Sequence, residues 1–203
     1  MGAVGLIYVG AILFANGLFL LGRISAKGVA PLNFFVGFLQ VLTPTFLIFT
    51  AGGDREVIAG AAGLYMFGFT YLWVGLNNVL GWKGEGLGWF SGLVAACCIG
   101  FAAYSGFSAG DWPGAILWLQ WAGLWLLFFL LLGLGKAGLQ RVTGSVCMWQ
   151  GLITGVVPGM LMIFGMWRSN AATIAVMAVI GAANFAFAVP LAKWASAKEP
   201  ITD

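Results

Sequence analysis

Histidine is absent from this 203-residue chain, and Asp, Glu, Lys and Arg together make up only 7% of it. Without histidine a metal site loses its commonest neutral ligand. A pH switch likewise loses the side chain whose ordinary pKa, about 6.5, lies in the physiological range. The three cysteines, Cys97, Cys98 and Cys147, are odd in number and lie within long apolar runs, which argues against a disulfide framework; they read as small packing residues. The few charges fall between those runs, so the relays and ion sites that ion-coupled transporters build at mid-membrane have no residues to form them. Paired aspartates, an HExxH pattern and a nucleophile with a neighbouring base are missing too, which disfavours an enzyme and any cofactor chemistry. A retinal-binding seven-helix protein needs a lysine in the middle of its last span and a buried carboxylate. Here Lys193 falls at a run's end and the carboxylate is wanting. The net charge of +3 forms no basic patch suited to nucleic acid.

What is present is apolar. Hydrophobic residues make up 62% of the chain and the mean hydropathy is +1.01, which belongs to a polytopic helical membrane protein. A spanning helix needs about 20 mostly apolar residues. Seven such runs are predicted: Ala3 to Gly22, Pro31 to Thr50, Val57 to Leu80, Leu87 to Ala109, Pro113 to Gly135, Gly144 to Trp167, and Ala171 to Ala192. The first lacks a basic leader and a small-residue cleavage site and reads as a retained span. Arg23, Lys27, Lys83, Lys136, Arg141, Lys193 and Lys198 fall on one side of this alternation and only Arg55 and Arg168 on the other. The positive-inside rule then puts the N-terminus outside and the C-terminus in the cytoplasm. Loops are short, so function is expected inside the bundle or at its mouths.

Uncharged polarity remains: Asn16, Asn33, Gln40, Thr43, Thr70, Tyr71, Asn77, Asn78, Gln120, Gln150, Thr154 and Asn184 lie within the runs. At 3.6 residues per turn, Leu6, Val9, Leu13 and Asn16 share a face of the first run, and Phe67, Thr70, Tyr71, Val74 and Asn78 a face of the third. In WLQWAGLW of the fifth run, Trp118, Trp121 and Trp125 fall within an arc of roughly 60°. Gln120 lies on the opposite face, where packing or a subunit contact is the more natural role. Such stripes suit a narrow pore for flat neutral solutes and suit ordinary interhelical packing as well.

The segments LIYVGAILFANG, NFFVG, FGFTYLWVGLNN, GDWPGAILWLQWAGLW and WQGLITGVVPG resemble, in order and spacing, the AmiS/UreI family of urea channels and short-chain amide transporters. The resemblance implies a six-helix core of three hairpins over residues 1–167; residues 168–203 lie beyond that six-span pattern, and their alanine-rich run reads as a peripheral seventh helix followed by a short tail. It implies a homohexamer in a bacterial inner membrane, a lipid-filled centre between subunits, and a pore within each protomer. Its constrictions would be Leu6, Val9 and Leu13; Phe67, Thr70 and Tyr71; and Trp118, Trp121, Leu124 and Trp125. Gln150 stands where the urea channel has a glutamate in its last pore helix. Asn16 joins these from the face of the first run. The implied activity is passive conduction of acetamide-like amides and of urea, coupled in the cell to an amidase or urease. The urea channel's long histidine-rich loops are missing, so acid gating is not expected. A urea channel proper and a non-conducting scaffold or sensor subunit are the alternatives.

Overall fold

The computed structural model describes residues 2–195. Among the described residues six helices are long and apolar enough to cross a membrane: α1 Gly2–Leu20, α2 Ala26–Thr50, α3 Arg55–Leu80, α4 Glu85–Ser108, α5 Trp112–Gly133 and α6 Ala137–Ile163. The polar residues left between them begin helices. Ser25 Oγ, Asp54 Oδ1, Asp111 Oδ1 and Asn170 Oδ1 each accept a first-turn amide, from Gly28, Glu56, Gly114 and Thr173 at 3.1, 2.9, 3.2 and 3.0 Å, as N-caps do. α3 ends at Gly81, whose φ of 67° is left-handed and would strain any other residue.

The seventh run is not one straight helix. It forms α7 Ala171–Ala186 and α8 Ala188–Ala195, bent from one another by 67°. Pro190 supplies the reason: it has no N–H to continue α7, and its ring would strike the carbonyl four residues back, at Ala186. Hydropathy does not register that break. Lys198 lies outside the described residues.

The six spans pair as α2 with α3, α4 with α5, and α6 with α1. The first two pairs are hairpins in sequence, whereas the third closes the bundle by joining the first span to the last. Its seam is built on glycine: a Cβ at Gly10, Gly17, Gly151 or Gly155 would fall on backbone atoms of the opposite helix. Without an apolar driving force in lipid, close packing of this kind is what holds spans together. α7 packs on α5 and α6, and α8 on α6. The outer surface stays greasy. Phe35, Phe38, Leu42, Phe46 and Phe49 form an exposed apolar stripe along α2, as expected of a face whose solvent is the bilayer.

Candidate functional site

The inward faces of α1, α3 and α5 meet at the centre. Val9, Leu13, Phe67, Tyr71, Trp121, Leu124 and Trp125 are all buried and belong to one core cluster, with Leu6 and Trp118 packed against it. Phe67 is the hub of an aromatic block. Its ring stacks on Trp118 at 5.6 Å, meets Trp121 edge-on at 5.0 Å and lies tilted against Trp125 at 4.9 Å. Phe101 of α4 covers the other face of Trp118 at 4.8 Å. Contacts of this geometry contribute about 0.5–1.5 kcal/mol each beyond area burial. α3 breaks at Gly63, and a side chain there would press on the Trp118 ring.

Cavities lie on both sides of this block. One of about 180 Å³, at the end where α1 begins, is lined by Leu6, Val9, Gln40, Phe67, Trp118 and Trp121. Asp111 stands at its rim, exposed and capping α5. The other, of about 300 Å³, lies where α1 ends and carries four carboxamides, Asn16, Asn77, Asn78 and Gln140, among apolar groups. Between them is a chamber of about 20 Å³ bordered by Leu13, Asn16, Thr70, Tyr71, Ser91 and Trp125. That volume admits about one water-sized molecule. Anything larger than water must therefore move the surrounding rings to cross from one cavity to the other in this conformation.

Hydrogen-bonding groups are sparse along this line. Trp125 Nε1 donates to Thr70 Oγ1 at 3.4 Å, and Thr70 in turn donates to the Met66 carbonyl at 2.7 Å. The Tyr71 hydroxyl is buried without a partner among the described residues. Asn16 and Asn33 form a reciprocal carboxamide pair at 3.0 and 2.8 Å, which fixes α1 to α2 and leaves Asn16 bordering both the chamber and the larger cavity. Among the described residues no group of His, Cys, Asp and Glu is placed to hold a metal ion.

Two of the residues expected at the constrictions border none of these three cavities. Leu124 is fully buried in the surrounding cluster. Gln150 sits behind the tryptophan wall because its amide turns toward α5, where Nε2 donates to the Gln120 carbonyl at 3.0 Å. Gln120 itself faces α7, donating to the Met177 carbonyl at 3.0 Å. Helical arithmetic on single faces missed the contribution of α4, Leu87 and Ser91, and the rim residues Phe128 and Leu131. No period marks them as different from packing residues.

Six lipid-spanning helices around an uncharged, aromatic-plugged line between two cavities define a multi-pass membrane protein of the channel and transporter class. The chain belongs to the AmiS/UreI family of transporters, whose sequence profile matches residues 1–166. It is 52% identical over 193 residues, 95% of this chain and 91% of the relative, to a Mycolicibacterium smegmatis protein named as an amidate substrates transporter. It is 45% identical over 86% of its length to the transporter AmiS2 of Rhodococcus erythropolis, 85% of which is covered. The urea channel of Helicobacter pylori in its closed state superposes with a TM-score of 0.75 at 30% identity, over 83% of this chain and 100% of that one. Family members are transporters and channels, not enzymes.

Proposed function

We propose that this protein is a passive channel for small neutral amides, with one conduit inside each protomer. The observation that carries this reading is the block formed by Phe67, Trp118, Trp121 and Trp125 between two cavities, with no charged side chain at its narrowest part. Indole and phenyl faces stack on a planar amide, while Thr70 and Tyr71 exchange hydrogen bonds with it. Ions stay out because nothing there replaces their hydration. Acetamide-like solutes are the preferred cargo, since the relative sharing 52% identity is named as an amidate substrates transporter and those named as urea channels share 29–30%. Urea, flat and neutral, passes as well.

The same reading has the N-terminus outside, the C-terminus in the cytoplasm of a bacterium, and the protein in its inner membrane. It takes the assembly as a homohexamer with lipid at its centre, residues 1–167 as the conducting core, and residues 168–203 as an addition outside it. Flow follows the gradient, which a cytoplasmic amidase or urease keeps steep. With no histidine in the chain, conduction is not gated by mild acid. Stopped-flow light scattering on proteoliposomes tests the proposal: acetamide and urea enter faster than in empty liposomes and glycerol does not. Equal rates for all three with and without protein favour a scaffold instead.

A further inference from the structure

Resting on that reading, we infer that Thr154, Gln150 and Gln120 are positioning residues that hold the Trp121 indole in the conduit wall, and that α7 is their outer brace. Trp121 has a single N–H, and it donates to Thr154 Oγ1 at 3.0 Å. The Thr154 hydroxyl spends its own proton on the main-chain carbonyl of Gln150, one turn back in α6, at 2.6 Å. Toward the indole it can therefore only accept, and the ring's orientation is fixed by a group with no freedom to reverse. α6 widens into π geometry over Gly151–Val156, the stretch that carries Thr154. Such departures mark functional positions in helices more often than chance.

A second set of bonds braces the same layer from outside. Gln150 Nε2 donates to the carbonyl of Gln120, the residue immediately before Trp121, and so registers α6 against α5 at the point where the wall is built. Gln120 Nε2 reaches the Met177 carbonyl of α7. α7 approaches here through Gly181, where a Cβ would press on the Gln120 carboxamide. Asn184 Nδ2, one turn along, donates to the Val146 carbonyl of α6 at 3.3 Å and ties the brace a second time. Thr154 and Gln150 are fully buried and Gln120 is 6% exposed. Oε1 of both glutamines has no partner. Apolar residues would pack this layer at lower cost, so three buried polar side chains, each bonded to a main-chain carbonyl around one indole, suit orientation better than adhesion. The family profile ends at residue 166, ahead of α7; the brace is an addition to the shared core.

The test is the ratio of acetamide to glycerol permeability in proteoliposomes containing the full-length protein, Thr154→Ser or Thr154→Val. Thr154→Ser keeps the hydroxyl and matches the unsubstituted protein. Thr154→Val keeps the shape, loses the acceptor and lowers the ratio by about threefold, the size expected for one membrane-buried hydrogen bond, with oligomer size unchanged. A ratio for Thr154→Val equal to that of the unsubstituted protein overturns the inference while leaving the channel intact. An unsubstituted protein that passes no acetamide overturns the channel reading, and this inference with it. Should Thr154→Val not assemble, Gly181→Val carries the same test from the side of α7, displacing the Gln120 carboxamide without touching the conduit. The same fall in ratio supports the brace, and an unchanged ratio overturns it.

Discussion

Asn16 and Asn33 show how much a single polar pair decides in an apolar interior. Each carboxamide satisfies the other, and Asn33 Nδ2 also donates to the Val29 carbonyl at 3.1 Å. Asn33→Leu removes one partner and leaves the Asn16 amide without its bonds. The expected cost is about 1–3 kcal/mol, read as a lower melting temperature of the detergent-solubilised protein. Asn16→Leu does the same, and the double substitution recovers part of the loss because no orphan remains. An additive double mutant contradicts this. Asn16 was legible in sequence as the polar end of the α1 stripe. Its pairing with Asn33 was not, because the register between two helices is fixed by packing that no single-helix period encodes. Gln150 makes the same point: the family resemblance located the residue, and only tertiary contact turned its amide toward Gln120.

At the scale of the element, six of the seven apolar runs correspond to long helices because lipid leaves the backbone no other way to satisfy its hydrogen bonds. The pairing of α1 with α6 was hidden, though its glycines were in view. Glycine abundance announces close approach without naming the partner. Gly155→Leu places a side chain against the α1 backbone at Gly10, where no rotamer change relieves the overlap. It destabilises by about 3 kcal/mol, seen as loss of the monodisperse species on size exclusion. Gly100→Leu, where a Cβ meets nothing within 4 Å, leaves that species unchanged. The bend at Phe187 was the element-scale feature that hydropathy could not supply, although Pro190 was there to be read.

For the whole molecule, the family and its channel class follow from an uninterrupted profile match over residues 1–166 together with the fold. With no histidine in the chain, a pore for neutral solutes has no side chain of ordinary pKa near neutrality to gate it. Acetamide flux therefore changes by less than about twofold between about pH 5 and pH 8; a several-fold rise on mild acidification, measured in the same proteoliposomes, contradicts an ungated conduit. The most direct measurement is the acetamide and glycerol permeability of Trp121→Ala, with oligomer size followed in parallel. Removing this indole opens the block between the two cavities, so glycerol entry rises and selectivity for the amide falls while the assembly persists. Unchanged permeability in an intact assembly would mean that solutes do not pass the Phe67, Trp121 and Trp125 rings at all.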